Sequence, residues 1–259
     1  MRRHPQRPPR RPDTTAVVFG ANPVLEALSA APESVSAVVV APGSDAAARV
    51  ADRARALGVP IETADRSALE RLTAGGHHQG VAARTRPFAY AALEDLLAHA
   101  KPLLIALDGV TDPHNLGSII RSAEVLGAGG LILPRDRSAA VTPATMRVAS
   151  GASAHLPVVQ VVNLVRALEE AKRIGYWIVG LDPEGSSRFQ ELPALERAVL
   201  VVGSEGKGAR PLVRRGCDFL VRIPVRGHVT SLNAAVAAGI GLYALAERLR
   251  PAGAQTSDS

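Results

Sequence analysis

Short apolar runs alternate with stretches of helical periodicity along most of the chain. Up to residue 86, runs such as AVVFG and SAVVVAP are separated by segments in which apolar residues recur every three or four positions. Such periodic segments are typical of helices, and the short runs are typical of strands. The pattern predicts a small α/β unit over residues 16–86, with strands 16–20, 36–42, 60–62 and 80–84 and helices 22–29, 45–57 and 67–72.

A second alternating set follows. Residues 86–101, RPFAYAALEDLLAHAK, begin with a proline-containing segment and become helical, so we assign 87–100 to a linker between two domains. Strands that alternate with helices predict a parallel sheet covered on both faces. In this second domain, 101–250, the expected strands are 103–108, 130–134, 156–161, 176–181, 198–203 and 219–224, and the expected helices are 116–127, 143–150, 163–174, 210–215 and 231–249.

The composition allows a well-filled core but predicts no membrane span. Of 259 residues, 47% are hydrophobic and 3% are aromatic, so the core must consist mainly of aliphatic side chains, which suits helices on a buried sheet. The sequence has no apolar stretch long enough to span a bilayer and no apolar leader segment, so we expect a cytoplasmic protein. The lone Cys217 excludes an intramolecular disulfide and a cysteine-based zinc site.

The excess of positive charge lies at the start of the chain. The formal net charge is +6, and residues 1–12, MRRHPQRPPRRP, contain five arginines and no acidic residue. We expect residues 1–15 and 251–259 to be disordered tails, because they contain too little apolar surface to form a core. Two roles remain open for the basic tail: a solvated extension, or an electrostatic contact with the phosphates of a nucleic acid.

Three turns in the second domain contain more polar residues and glycines than a connection needs. They are DGVTDPHNLGSIIRSAE, GSEGKGARP and PVRGHVTSLNAAVAAG, and they lie at the ends of strands 103–108, 198–203 and 219–224. In doubly wound sheets, ligands bind beyond the carboxyl ends of the strands. The three turns are therefore the candidate site.

The first turn allows a structural and a functional interpretation. Leu116, Ile119 and Ile120 begin an apolar stripe at helical spacing, and Arg121 lies about 160° from its centre, so it faces away from the sheet. Asn115 is well placed as the helix N-cap. From these residues alone, the turn is either a capped helix start with a surface arginine or part of a polar site.

The second turn is rich in glycine but matches no common nucleotide-binding loop. Gly203, Gly206 and Gly208 would allow backbone amides to approach a ligand closely. Their spacing fits neither the phosphate-binding loop of ATPases nor the dinucleotide-binding fingerprint. Glu205 among these glycines is either a surface residue or a residue held in place for a cationic or hydroxyl-bearing ligand.

The third turn leads into a helix rich in small residues. Thr230 or Ser231 could cap this helix, and Gly239 and Gly241 would let it pack closely on the sheet or on a second subunit. The chain has no histidine pair with zinc-protease spacing, and His77, His78 and His228 are expected in loops, so we predict no metal site.

Together, the three turns resemble the SpoU/TrmH family of S-adenosylmethionine-dependent RNA ribose 2′-O-methyltransferases. The matching segments, in the order and spacing of the family, are DPHNLGSIIRSAE, VVGSEGKG and IPVRGHVTSLNAAVAAGI. Upstream, FGANPVLEAL and HHQGVAAR resemble the family's small RNA-binding domain, which is similar to ribosomal protein L30e. The resemblance covers nearly all of residues 18–248. It is greatest to the enzymes that methylate a guanosine ribose in 23S rRNA.

The resemblance implies a fold and partners that pattern alone does not reveal. In this family the catalytic domain is a parallel α/β sheet whose C-terminal part forms a trefoil knot, here an α/β-knot domain over residues 101–250. The resemblance further implies a homodimer with helix 231–249 at its interface. It implies that the substrate is ribosomal RNA and that the L30e-like domain 16–86 helps to bind it. It implies no membrane or metal partner.

The resemblance also implies specific site residues. It places catalytic positions at Asn115, Arg121, Glu205, Ser231 and Asn233, and positions that bind the cofactor S-adenosylmethionine at Gly203, Ser204, Gly208, Ile223, Pro224 and Leu232. A ribose hydroxyl is a weak nucleophile, so it needs positioning and help in losing its proton. Because a guanidinium group is effectively always protonated, two roles stay open for Arg121: activating the hydroxyl, or binding the target phosphate.

Two other functions remain open. The same chemistry could act on tRNA or on a different rRNA loop, as in thiostrepton-resistance enzymes. Alternatively, the chain could be an RNA-binding or ribosome-assembly protein without catalytic activity. The presence of all five polar positions favours an enzyme.

Overall fold

The computed structural model describes residues 16–99, 101–206, 208–228 and 231–249. The predicted tails, 1–15 and 251–259, lie outside the described residues. The chain divides into two compact units, one up to Phe88 and one from Ala89 onward. Within the described residues, no helix has the length and apolar character needed to cross a membrane.

The first unit is a four-stranded sheet with three helices. The sheet has the order β1-β4-β2-β3, in which β4 is antiparallel to β1 and β2 while β2 and β3 are parallel. Its elements are β1 Ala16–Phe19, α1 Ala21–Ala30, β2 Val35–Val40, α2 Asp45–Ala56, β3 Ile61–Thr63, α3 Arg66–Leu72 and β4 Val81–Thr85. Each predicted element of this unit is present, with ends within two residues of those expected.

Local hydrogen bonds explain where two of these helices begin. The Ser44 side chain accepts from the Ala47 N–H at 3.1 Å before α2, and the Asp65 side chain accepts from the Ala68 N–H at 2.6 Å before α3. Such caps satisfy N–H groups that have no partner within the helix.

The second unit contains a six-stranded parallel sheet of order β10-β8-β9-β5-β6-β7. The predicted α/β architecture with a parallel sheet is confirmed. The elements are α4 Leu93–Ala98, β5 Leu103–Asp108, α5 Pro113–Val125, β6 Leu131–Pro134, α6 Pro143–Ala149, β7 Val158–Val161, α7 Leu164–Arg173, β8 Trp177–Leu181, β9 Ala198–Gly203, α8 Pro211–Arg215, β10 Phe219–Val221 and α9 Ala234–Ala246.

Helices cover both faces of this sheet, which is why its central strands are continuous apolar runs. Successive residues of β9 point to opposite faces. Val199 and Val201 pack in the core that contains residues of α4, α7 and α8, whereas Leu200 lies against α9. An added Cβ on Gly241 would come within 3.0 Å of Leu200, so this glycine allows α9 to pack closely on β9.

Part of the segment that we assigned to a linker packs within the second unit. Ala91 pairs with Val159 of β7, and its N–H donates to the Val158 carbonyl at 2.9 Å. Leu96 of α4 is buried in the same core as α7. Residues 89–98 thus extend the second unit beyond its edge strand.

Candidate functional site

The turn after β5 places Asn115 inside a helix rather than at its cap. The helix begins at Pro113, and the preceding Asp112 accepts a hydrogen bond from the His114 N–H at 2.9 Å. The predicted N-cap role of Asn115 is therefore wrong. Pro113 suits the first helical position because it has no N–H to satisfy. Asn115 is the third residue of α5, and its side chain is available for contacts with other turns.

Three polar side chains from three turns contact one another. The Asn115 Nδ2 donates to Glu205 Oε1 at 2.9 Å, and the Asn233 Nδ2 donates to Asn115 Oδ1 at 2.9 Å and to Glu205 Oε1 at 2.8 Å. We call Asn115, Glu205 and Asn233 the polar cluster. Its members are between 28 and 118 residues apart in the sequence, so only the fold brings them together.

The polar cluster is tied to the start of α9. Asn233 is the N-cap, and its Oδ1 accepts from the N–H groups of Ala235 at 2.9 Å and Val236 at 3.3 Å. The Ala234 N–H donates to Glu205 Oε1 at 3.1 Å, so a carboxylate lies at a helix N-terminus, where negative charge is favoured. The predicted start of this helix at residue 231, with Ser231 as a possible cap, is wrong because Asn233 takes that role. Thr230 lies outside the described residues.

The glycine-rich turn after β9 folds back tightly on its strand. Ser204 and Gly208 exchange backbone hydrogen bonds of 3.1 and 2.9 Å, and Gly206 and Gly208 have φ values of 75° and 64°. An added Cβ on Gly203 would lie 2.0 Å from the Gly208 carbonyl carbon, so no larger residue fits there. This tight loop holds Glu205 at its tip.

An ion pair that we did not anticipate anchors the same loop. Asp108 is 1% exposed, and its oxygens accept from the Arg210 N–H and the Arg210 guanidinium at 2.7 Å. A buried carboxylate needs such partners. The signal in the sequence was an aspartate that ends the apolar run LLIALD, but nothing indicated a partner 102 residues away.

Next to the loop lies a cavity of about 890 Å³. It is lined by the proposed cofactor-binding residues Gly203, Ser204, Gly208, Ile223 and Leu232, and by the proposed catalytic residues Glu205 and Ser231. Pro224 is not among the lining residues, although its neighbours Ile223 and Val225 are. The volume is in the range of sites for ligands of cofactor size.

The cavity also has charged lining residues, which the sequence did not indicate. Asp182 follows β8 and forms an ion pair with Arg214 of α8. The Asp182 carboxylate also accepts from the Glu184 N–H at 2.8 Å, and Glu184 lies 3.7 Å from the Arg214 guanidinium. Asp182, Glu184 and Arg214 line the same cavity as the apolar residues Ile223 and Leu232.

Arg121 lies apart from the polar cluster. It is on the exposed side of α5, and its Nη1 donates to Ser150 Oγ at 3.4 Å, a long hydrogen bond. It neither bonds to the cluster nor lines the cavity. Ser150 itself is held in the left-handed conformation, at φ 50°, after α6. The guanidinium group thus remains accessible to an anionic ligand.

Cys217 packs against the core of the second unit and does not line the cavity. Burial raises the pKa of the Cys217 thiol to about 11, so the thiol stays protonated and is a poor nucleophile. Within the part of the chain that the structure describes, no group of three or more His, Cys, Asp or Glu side chains could hold a metal ion.

α9 exposes an apolar face to solvent. Val236, Ile240 and Tyr243, which share one side of the helix, are 51%, 41% and 58% exposed. The opposite side, with Ala238, Leu242 and Leu245, is buried. A helix that is apolar on all sides is typical of complete burial, so the exposed face is suited to contact with a further chain.

Known proteins are similar to this chain in sequence and in fold. The chain is 44% identical to an uncharacterised tRNA/rRNA methyltransferase of Mycobacterium ulcerans (strain Agy99) over 253 residues, which cover 95% of this chain and 81% of the relative. An AdoMet-bound rRNA methyltransferase from Sinorhizobium meliloti has a similar structure, with a TM-score of 0.61 and 26% identity, covering 90% of this chain and 87% of that one.

A third relative is the SpoU methyltransferase AviRb from Streptomyces viridochromogenes in complex with AdoMet. It has a TM-score of 0.61 and 28% identity, over 89% of both chains. Two family models also match: RNA 2′-O ribose methyltransferase substrate binding at residues 17–91, and the SpoU rRNA methylase family at residues 102–243. The chain therefore belongs to the SpoU rRNA methylase family.

Proposed function

We propose that this protein transfers the methyl group of S-adenosylmethionine to the 2′-hydroxyl of a guanosine ribose in 23S rRNA. The observation that carries the proposal is the polar cluster Asn115–Glu205–Asn233 beside the 890 Å³ cavity. Glu205 belongs to both, so the cluster and the cavity form one site.

The cavity suits S-adenosylmethionine, the cofactor of this protein. Ile223 and Leu232 provide apolar surface for an adenine ring, and the folded loop at Gly203–Gly208 provides backbone groups at close range. The Asp182 and Glu184 carboxylates also line the cavity and suit an ammonium or hydroxyl group. The bound cofactor supplies an electrophilic methyl group on a positively charged sulfur. The solved relatives from S. meliloti and S. viridochromogenes were obtained with this compound bound.

The polar cluster is suited to hold the ribose. Glu205 Oε1 accepts three N–H groups, from Asn115, Asn233 and Ala234, which fixes the carboxylate in one orientation. Oε2 makes no hydrogen bond to any described residue, so it is available to a ligand hydroxyl. A positioned carboxylate can orient a hydroxyl for attack and receive its proton.

Arg121 is suited to a phosphate. Its guanidinium group is exposed and has one weak contact, to Ser150. A guanidinium group is a fork-shaped donor for phosphate and does not give up its proton at neutral pH. We therefore assign Arg121 to the phosphate next to the reacting ribose, rather than to proton removal.

We further propose a homodimer formed through the exposed face of α9. Val236, Ile240 and Tyr243 would then be buried against a second copy of the chain. Val125 at the end of α5 is 71% exposed and would extend this surface, because α5 packs against α9. The trefoil knot expected from the family belongs to the same proposal.

The test is methylation of RNA from cells that lack the gene. Purified protein is incubated with methyl-labelled S-adenosylmethionine and total RNA, and ribose methylation is mapped by nucleotide. We expect label at one guanosine of 23S rRNA. Label on tRNA alone would exclude 23S rRNA as the substrate but would leave methyl transfer to RNA supported. Absence of label from every RNA would exclude methyltransferase activity.

A further inference from the structure

A second groove lies at the carboxyl ends of β6, β5 and β9. We call it the strand-end groove; its volume is about 370 Å³, and its walls include Gly109, Pro134, Asp136, Arg137, Ala209 and Pro211. It shares Ser204, Gly208, Ala209 and Pro211 with the cofactor cavity, so the segment 204–211 borders both spaces. A ligand in the groove would therefore be adjacent to a ligand in the cavity.

The loop that carries Asp136 and Arg137 is held in place. Past its tip, the Ala139 N–H donates to the Val110 carbonyl at 2.8 Å, and Ser138 Oγ donates to the same carbonyl at 3.4 Å. Arg137 has a φ of 60°, which is uncommon for a residue other than glycine. The loop is thus attached to the turn after β5.

The groove offers one donor group and one acceptor group for a ligand. Arg137 forms no hydrogen bond or ion pair with any residue in the described ranges. Asp136 makes only a 4.0 Å contact with Arg135, and its side chain is 79% exposed. Arg210 and Asp108, which also line the groove, neutralise each other. One guanidinium and one carboxylate, on consecutive residues that both line the groove, therefore remain available.

This arrangement fits a nucleobase better than a phosphate. A phosphate would be attracted by Arg137 but repelled by Asp136, whereas a base can present acceptors and donors together. Pro134, Pro211 and Ala209 add apolar surface for a flat ring. Arginine binds guanine O6 and N7 with two parallel hydrogen bonds, whereas adenine has a donor beside N7. The N1–H and N2–H groups of guanine are donors that suit a carboxylate.

We propose that the strand-end groove binds a guanine base of the RNA substrate. Arg137 donates to O6 and N7, and Asp136 accepts from N1–H and N2–H. Because Ser204 and Gly208 also border the cofactor cavity, this base belongs to the methylated nucleotide or to its immediate neighbour. The assignment rests on the proposed function, which it deepens by naming the groups that select the base.

The test measures binding of mononucleotides without methyl transfer. The full-length protein is saturated with S-adenosylhomocysteine, which fills the cofactor cavity. Guanosine 5′-monophosphate, its 7-deaza analogue, adenosine 5′-monophosphate and inorganic phosphate are then titrated in NMR saturation-transfer experiments. The variant is Arg137→Asn, since asparagine tolerates a positive φ, and the matched control is Arg135→Asn at the neighbouring arginine. Thermal unfolding confirms that both variants fold.

We expect the guanine nucleotide to bind at least about tenfold more tightly than the adenine nucleotide and the 7-deaza analogue. Arg137→Asn should abolish this preference, and Arg135→Asn should retain it. Equal affinity for all three nucleotides, or no binding of the guanine nucleotide, would overturn the proposal. So would an equal loss of nucleotide and inorganic phosphate binding in Arg137→Asn, which would identify a phosphate contact instead.

The two proposals fail independently. Guanine-selective binding without methyl transfer to any RNA would support guanine binding in the strand-end groove and exclude the proposed reaction. Methyl transfer by a protein that binds the nucleotides without preference would support the proposed reaction and exclude guanine-selective binding in the strand-end groove.

Discussion

Helices α5 and α9 both begin with a capping side chain, but only the cap of α9 also bonds to residues outside its own helix. Asp112 accepts one hydrogen bond, from His114, and stays local. Asn233 accepts from two N–H groups of α9 and also donates to Asn115 and Glu205. The difference follows from chemistry, because a carboxylate can only accept whereas an amide also donates. An asparagine cap can therefore join a helix start to a site.

The largest loss of activity is expected on substitution of Arg121, which lies on α5 and bonds to neither capping residue. Arg121→Ala should lower methyl transfer on the order of 10³-fold, because the phosphate next to the reacting ribose loses its charged donor. Dimerisation and affinity for S-adenosylmethionine should stay close to wild type. Turnover and calorimetric cofactor binding are measured together. A parallel fall in cofactor affinity would contradict the phosphate role.

A smaller loss is expected at Glu205, which links the two helix starts. Glu205→Gln should lower kcat on the order of 100-fold, because the negative charge that orients the hydroxyl is removed while the size of the side chain is kept. Glu191→Gln is the matched control, since Glu191 is an exposed acid that accepts from the Arg188 N–H. Equal kcat values for the two variants would exclude Glu205 from the reaction.

Substitution of the two capping residues should affect stability equally but activity differently. Asp112→Ala and Asn233→Ala should each lower the free energy of unfolding by about 1 kcal/mol, but only Asn233→Ala should also lower kcat/KM, by about tenfold or more. Asn233→Ser is the sharper variant, because serine caps a helix equally well and lacks the amide donor. It should retain stability and lose activity. Full activity in Asn233→Ser would show that Asn233 serves only as a cap.

The smallest effect is expected from the basic tail. Deletion of residues 1–12 should weaken RNA binding several-fold at about 50 mM salt and hardly at all at about 200 mM, because screening and counterion effects reduce the contribution of its five arginines. RNA affinity is measured at both concentrations. Equal affinity with and without the tail at low salt would favour a solvated extension.

The strands that lead into the site were predictable, because a strand buried on both faces consists of consecutive apolar residues. Strands 103–108 and 198–203 have the predicted bounds. β10 is shorter than predicted, ending at Val221 instead of residue 224. Beyond it, the Arg222 N–H donates to Ser187, in a segment between β8 and β9 that has no periodic pattern, and Pro224 has no N–H to donate.

The starts of α5 and α9 were each misplaced by three residues, for one shared reason. Both turns contain several residues that can cap a helix, and sequence alone does not say which of them does. In the first turn, Asp112 caps α5 while Asn115 bonds to Glu205. In the third turn, Asn233 caps α9 and also bonds to Asn115 and Glu205. The Asp108–Arg210 pair was missed because no local pattern encodes a contact across 102 residues.

The central claim is that Asn115 and Asn233 act on the ribose as parts of one unit through Glu205. The most direct test is a double-mutant cycle on kcat/KM, with Asn115→Ala, Asn233→Ala and the double variant. Residues that act as a unit are strongly non-additive. We predict that the double variant is about as slow as the slower single variant. Losses that multiply in the double variant would contradict the claim.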